Sequence, residues 1–367
     1  MTGPAAADAV PAAPAAAHTW PDLLQALIDG ADLAADQTAW AMNQIMSGVA
    51  SNAQIAALVT GLRAKGETAA EIGGLVAAML EFALPVRADE ALLRAAVDTC
   101  GTGGDRSHTV NLSTMAAVVV AALGIPVVKH GNRASSSSCG SADLLEELGV
   151  VIDLPPDGVA RSLTEAGITF CFARTFHPAM RFVAAVRSEL AVPTAFNILG
   201  PLTNPARPGA QSIGVGHAPM APVVARVLAD RGTRALVFRG DDGLDELSPC
   251  APSTIWATNG GDLRMERFDP RDVGIDVPDP AALRGADARF NAGVARSVFA
   301  GKPGPVRDAV LLAAAAAIVA AEGPTAAPVT EQLGAQLERA AGALDSGAAA
   351  VLLDRWARVS RASATPG

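Results

Sequence analysis

From Trp20 to about Phe82 the apolar residues recur at helical spacing. Ile55, Leu58, Val59 and Leu62 fall at i, i+3, i+4 and i+7 and are followed by Gly66, which predicts a helix with one buried face and a glycine stop. Thr68 and Glu71 stand as a capping box ahead of a second stripe, Ile72, Leu75, Val76, Met79 and Leu80. So small a helical unit buries little by itself, so its stripes are expected against the rest of the chain or a second copy of it; a homodimer is the expectation. After Pro85 the period changes. Short apolar runs at 95–97 and 126–128 alternate with helical stretches at 113–123, ended by Gly124, and 142–148, ended by Gly149. Further strands are expected at 211–215 and 235–238, and helices at 308–321 and 332–357. This rhythm predicts an α/β fold, a mostly parallel sheet flanked by helices, with a smaller N-terminal all-helical domain. Residues 1–18 read as a disordered Ala/Pro arm, 19–90 as the helical domain joined by the 178–205 segment, and 91–367 as the α/β domain.

Composition narrows the function. Half the residues are apolar and none is Tyr, which suits Ala-rich helices packed on a buried sheet. A formal net charge of −9 argues against nucleic acid or an anionic membrane as the main partner, since both reward a basic surface. The apolar run 310–321 is shorter than the ~20 residues that span a bilayer, so it is expected as a buried helix. The first 17 residues hold no Lys or Arg and lack the form of a secretory signal. Cys100, Cys139, Cys171 and Cys250 are scattered, which supports neither a zinc site nor a disulfide framework and points to the cytoplasm.

The densest chemical signal is Gly101, Thr102, Gly103, Gly104 and Asp105, then Thr109, Asn111, Ser113 and Thr114 where the next helix opens. Small residues let backbone amides close on an anion, and a helix N-terminus adds unpaired N–H groups, so the segment suits phosphate. An ordinary glycine turn with a serine cap is the plainer reading. Arg106 breaks the dinucleotide fingerprint, and no Walker pattern occurs anywhere in the chain. A second cluster, Lys129, His130, Gly131, Asn132 and Arg133 followed by serines 135–138, is expected to share the crevice at the carboxyl ends of the strands. In the third, Gly240, Asp241, Asp242, Gly243, Leu244, Asp245 and Glu246, adjacent carboxylates could hold magnesium or form a solvated acidic turn. In the fourth, Met180, Val183, Arg187 and Leu190 share a helix face. An arginine on such a stripe needs a partner, either a substrate carboxylate or, as spacing alone favours, an internal salt bridge. The stretch from Phe196 to Pro205 reads as a structured hinge or pocket wall.

Taken in order, these segments resemble the anthranilate phosphoribosyltransferase family, with matches from Trp20 to Arg355. The most specific are Gly101-Thr102-Gly103-Gly104-Asp105, Asn111-Leu112-Ser113-Thr114, Lys129-His130-Gly131-Asn132-Arg133, Phe196 through Pro205, and Asp242-Gly243-Leu244-Asp245-Glu246. The resemblance implies transfer of the phosphoribosyl group of phosphoribosyl pyrophosphate to anthranilate, in tryptophan biosynthesis, by a magnesium-dependent homodimer. It implies that Gly101, Gly104, Asp105, Thr109, Asn111, Leu112, Ser113 and Thr114 contact phosphoribosyl pyrophosphate, together with Lys129, His130, Gly131, Asn132, Arg133, Ser136 and Ser137. Gly101, Asn132 and Arg187 would contact anthranilate, and Ser113, Asp245 and Glu246 would ligate magnesium. No residue is expected as a general acid or base. Three positions depart from the family pattern. Arg106 stands where glycine is usual, which means strain if the turn needs a positive φ; Cys139 stands where serine is usual, and Ala313 where asparagine is expected. Two alternatives remain: a pyrimidine nucleoside phosphorylase-like enzyme, to which Asp245 and Glu246 would be of no clear use, and a non-catalytic nucleic-acid-binding relative, which the acidic balance opposes.

Overall fold

A computed structural model of the protein describes residues 18–134 and 138–364. The Ala/Pro arm up to residue 17 and the expected contacts Ser136 and Ser137 lie outside the described residues. The chain opens with four helices, α1 (Trp20–Ile28), α2 (Ala35–Met46), α3 (Asn52–Lys65) and α4 (Ala69–Glu81). Both expected stripes form. The Thr68–Glu71 capping box begins α4, Gly66 ends α3 with φ 93°, and Ile55, Leu58, Val59, Leu62, Ile72, Leu75, Val76 and Met79 are buried. Gly74 lets α2 and α4 cross closely, because a Cβ there would overlap the Ala35 carbonyl and the Thr38 hydroxyl. The same apolar cluster takes in Ala179, Val183, Val186, Phe196, Ile198, Leu199 and Leu202 from the later helical segment, and Ile213, Val215 and Val237 from the sheet. The helical unit therefore shares its core with the rest of the chain, as its small size requires.

The sheet has seven strands: β1 (Val97–Gly101), β2 (Val127–Gly131), β3 (Ile168–Phe172), β4 (Ala210–Gly214), β5 (Arg234–Gly240), β6 (Ser253–Asn259) and β7 (Asp262–Phe268). Their order is β3-β2-β1-β4-β5-β6-β7. The first five are parallel, and β6 and β7 add as an antiparallel hairpin. The sequence reading missed that hairpin, whose turn is Gly260 and Gly261, both at positive φ, as a two-residue hairpin loop requires. It also missed β3, a short wholly buried run that alternation cannot reveal. The stretch expected to be helical at 332–357 is two helices, Val329–Asp345 and Ala348–Ser363, parted by Gly347 at φ 75°. The run 310–321 lies in the helix Pro305–Glu322 and is buried throughout; no helix among the described residues is long and apolar enough to cross a membrane.

The connections after β1 run to β2 and β3 on one side, while β4 and β5 lie on the other. β1 and β4, paired from Val97 with Ala210 to Gly101 with Gly214, therefore flank the switch point at which open α/β sheets bind ligands beyond their carboxyl ends.

Candidate functional site

Five parallel strands end at that edge, and the loops after β1, β2 and β5 carry residues singled out from the sequence. The loops after β1, β4 and β5 are stitched together by hydrogen bonds and by close approaches that glycines at 101 and 214 permit. A Cβ on Gly101 would overlap the Asp245 carboxylate, and one on Gly214 would overlap the Asp245 carbonyl. The Gly103 amide donates to Asp245 Oδ2 at 2.6 Å, the Thr102 amide to the Gly214 carbonyl at 2.9 Å, and the Gly216 amide to Thr102 Oγ1 at 3.0 Å. Arg239 adds a clamp, donating to the carbonyls of Gly216 at 3.2 Å and Gly240 at 3.0 Å. Gly214, Gly216 and Arg239 were not singled out from the sequence; the glycine at the end of β4, mirroring that at the end of β1, is the signal that could have found them.

The acidic loop divides into two pairs. Asp241 binds Arg267 of β7, and Asp242 accepts from the Leu244 amide at 3.1 Å and the Ser248 hydroxyl at 2.7 Å, so both serve the loop itself. Asp245 and Glu246 are left, 9% and 8% exposed. Burial pushes both carboxyls well above the ordinary range, and repulsion adds to it: Asp105 acts on Asp245, and Asp245 on Glu246. Asp105 lies beside them, and its buried Oδ2 has no hydrogen-bond donor among the described residues. Lys129, 2% exposed, lies beneath, donating to the Thr99 carbonyl and, at 3.2 Å, to the Ser113 hydroxyl. Behind it Asp98 is wholly buried and raised to about 6, because burial outweighs Lys129, Asn204 and the His130 amide. Several buried carboxylates thus converge on one buried cation. This donor set fits a hard divalent ion: two carboxylates and a hydroxyl, with room left for phosphate oxygens and water. Among the described residues no group of three or more His, Cys, Asp or Glu side chains is placed to hold a metal by itself.

After Gly103, itself at φ 71°, the stretch from Gly104 to His108 alternates in handedness. Gly104, Arg106 and His108 have φ of 85°, 62° and 51°, while Asp105 and Ser107 between them do not take positive φ; such alternation turns successive N–H groups into an anion-binding concavity. A surface groove of about 660 Å³ bounded by Leu84, Arg87, Pro155, Arg161 and Ser363 shares no residue with these loops, and its size carries less weight than their chemistry.

Residues 93–350 match the glycosyl transferase family, a/b domain, and residues 21–83 match the glycosyl transferase family, helical bundle domain. The anthranilate phosphoribosyltransferase of Frankia alni is 65% identical over 360 residues, spanning 94% of this chain and 98% of that one. That of Saccharopolyspora erythraea is 56% identical over 344 residues, spanning 94% and 97%. The chain belongs to the anthranilate phosphoribosyltransferase family. The anthranilate phosphoribosyltransferase of Thermus thermophilus superposes with a TM-score of 0.84 at 40% identity, covering 93% of this chain and 99% of the other. The Saccharomyces cerevisiae enzyme, in complex with PRPP and Mg, gives 0.83 at 25% identity, covering 94% and 98%.

Against that family the remaining residues fall into distinct environments. Arg106 does adopt a positive φ, the conformation in which a non-glycine residue is strained, and its side chain is exposed with no hydrogen bond or ion pair among the described residues. Cys139 is buried and raised to about 11 by burial, while Ala313 sits in the apolar core. Thr109 pairs with Arg284 in an isolated bridge, and Leu112 is buried, leaving only its backbone to face the crevice. Thr114 is buried as well, its hydroxyl without a partner. Gly131 is hemmed in by Ser141 and Phe170, and Asn132 is exposed, its Oδ1 accepting from the Arg133 amide at 2.8 Å.

Three charged or titratable side chains differ from the sequence reading. His130 turns its ring into the hinge, with Nδ1 3.0 Å from the Gly200 carbonyl and the His177 ring 5.2 Å away; burial and His177 lower it to about 3. Arg133 is held by Glu146 at 2.5 Å and Asp143 at 3.0 Å, which raise its pKa. Arg187 stands beside its stripe rather than on it: Val183 and Val186 are the buried residues of that turn, and Arg187 is exposed. The internal salt bridge that spacing alone favoured does not form, for the guanidinium has no hydrogen bond or ion pair among the described residues. Neighbouring protein still removes enough water to lower its pKa from 12.5.

Proposed function

We propose that the chain transfers the phosphoribosyl group of phosphoribosyl pyrophosphate to anthranilate, releasing pyrophosphate and giving N-(5-phosphoribosyl)anthranilate for tryptophan biosynthesis. The observation that carries this is the Asp245–Glu246 pair closing on the Gly101–Gly104 loop, in a chain 65% identical along nearly its whole length to an anthranilate phosphoribosyltransferase. Asp245, Glu246 and the Ser113 hydroxyl would hold magnesium, which when bound with the substrate neutralises charge on the departing pyrophosphate. The chain's own work is positioning and electrostatics. The loop Gly101, Gly104, Asp105, Thr109, Asn111, Leu112, Ser113 and Thr114 presents amides and hydroxyls to the phosphates. Lys129 orients the Ser113 hydroxyl from below. Asn132 and Gly101 flank the acceptor, and Arg187 holds its carboxylate. Attack at the ribose C1′ passes through oxocarbenium character, and an arylamine sheds its proton readily once the bond forms. No general base is required, which agrees with His130 and His177 being buried and held neutral, lowered to about 3 and about 4.

The same reading divides the chain into a helical domain at 19–90, joined by 178–205, and an α/β domain at 91–367 that holds phosphoribosyl pyrophosphate. It makes the protein a homodimer through the helical domain, a reading supported by exposed Ile28, Val49 and Val192. The four cysteines are mostly buried and none is in a disulfide among the described residues, which fits the reducing cytoplasm. A phosphorylase would leave Asp245 and Glu246 facing phosphate without a cation. The test is incubation with phosphoribosyl pyrophosphate and a panel of aminobenzoates, with and without magnesium. Anthranilate should be consumed, and only with the metal; preference for another acceptor or metal-free phosphorolysis of a nucleoside would overturn the assignment.

A further inference from the structure

Asn291 belongs to none of the motifs above, yet it is 2% exposed on the helix Ala288–Phe299. Its Oδ1 accepts from the Ala286 amide at 2.9 Å, and its Nδ2 donates to Asn111 Oδ1 at 2.9 Å. Asn111 Nδ2 in turn donates to the Cys139 carbonyl at 3.0 Å. A backbone N–H closes one end of this row of amides and a backbone C=O the other. The first can only donate and the second only accept, so both carboxamides are fixed in a single orientation. Asn111 holds the N-cap position of the helix Leu112–Ala122, but its side chain makes no capping bond, although asparagine there ordinarily caps. The row accounts for this departure. It also ties together the loop before Asn291, the glycine loop and the serine loop, and the first two are joined again where the Gly285 amide donates to the His108 carbonyl at 2.8 Å.

We propose that Asn291 is a positioning residue for the phosphoribosyl pyrophosphate site. By engaging Asn111 Oδ1 it turns the Asn111 amide so that one N–H holds the serine loop and the other stays available to a phosphate oxygen. The inference rests on the reading of the Asn111 segment as phosphate-binding.

The test is Asn291→Asp, which keeps shape and the acceptor for Ala286 but replaces the donor to Asn111 with a second acceptor. Asn111 must then give an N–H to residue 291, and the Cys139 carbonyl loses its donor. Loss of about one such bond in substrate binding predicts a rise of about tenfold in the KM for phosphoribosyl pyrophosphate and in the calorimetric Kd for magnesium pyrophosphate. The anthranilate KM should change less than about twofold, because Asn291 reaches only the phosphate loops. Should the Asp variant fail to fold, Asn291→Ser is measured the same way, with the same selective loss expected. An unchanged pyrophosphate Kd alongside a lowered Tm, or an equal rise in both KM values, would overturn the proposal. Failure of the functional reading shows separately, in wild-type protein that neither binds magnesium pyrophosphate nor consumes anthranilate.

Discussion

Replacing Arg187 with Ala separates substrate recognition from folding, because the structure gives the guanidinium nothing internal to hold. It is exposed and makes no hydrogen bond or ion pair among the described residues, and the apolar anchoring of its turn is left to Val183 and Val186. A surface truncation of this kind changes stability by about 0.5 kcal/mol or less. A hydrogen bond to a charged group contributes about 1.5 to 3 kcal/mol, and each 1.4 kcal/mol is about tenfold in affinity. The anthranilate KM is therefore expected to rise roughly ten- to a hundredfold, with the phosphoribosyl pyrophosphate KM within about twofold and Tm within about 2 °C. Arg187→Lys should fall between, since the ammonium keeps the charge but not the planar fork. Aniline serves as the control acceptor: it has the amine without the carboxylate, so wild type and Arg187→Ala should use it equally poorly. Steady-state kinetics with both acceptors and a thermal melt make the measurement. The reasoning fails if both KM values rise together, if aniline distinguishes the two proteins, or if the variant melts several degrees early.

Asp245→Asn combined with Glu246→Gln should abolish most turnover and its magnesium dependence while the protein stays folded; unchanged activity at limiting magnesium would remove both residues from the site. Arg106→Gly should relieve a left-handed conformation that costs a non-glycine residue about 1 to 2 kcal/mol, offset by about 0.5 to 1 kcal/mol of added unfolded-state entropy. The expected result is a slightly higher Tm and phosphoribosyl pyrophosphate binding as tight or tighter, whereas a large loss of activity would make Arg106 a substrate contact. His177, lowered to about 4 by burial, takes up its proton in the unfolded chain first, at about 6.5. Its share of stability is therefore present above that value and lost as pH falls, by about 2 kcal/mol at pH 5. Urea titrations should show the difference between pH 7 and pH 5 smaller by about that amount in His177→Gln, and an identical difference would refute the linkage.

Helices carrying their own signal were legible from the chain. The stripe and caps of α3 and α4 are local facts, and so are Gly66 and Thr68 that bound them. The sheet was legible only where helices punctuate it. β3 is buried on both faces and shows no alternation, while β6 and β7 follow the acidic loop and carry a Gly-Gly turn that composition alone does not set apart. The site divides the same way. Its loops announce themselves by density of Gly, Ser and Asp, but which of four acids remains free is a tertiary matter. Asp241 is taken by Arg267 and Asp242 by Ser248. Arg133, equally cationic on paper, is neutralised by Glu146 and Asp143, whereas Arg187, for which spacing left a salt bridge or a substrate carboxylate open, has no ion pair among the described residues.

The arrangement around Asp245 also explains why so unfavourable a cluster persists. Burying like charges side by side is costly, and one lysine against Asp98, Asp105, Asp245 and Glu246 does not compensate for it. Glycines at 101 and 214 leave room for Asp245 against the strand ends, and the Gly103 amide offsets only part of the cost by donating to its Oδ2. A sequence selected only for stability would place a larger residue at the ends of β1 and β4 and push the acidic loop outward into water. The chain instead holds the carboxylates close and partly unsatisfied, with Asp105 Oδ2 lacking a donor among the described residues. On the proposed reading, a divalent cation and its phosphate ligands would relieve this repulsion together, so the same burial that destabilises the cluster would raise its affinity for the pair.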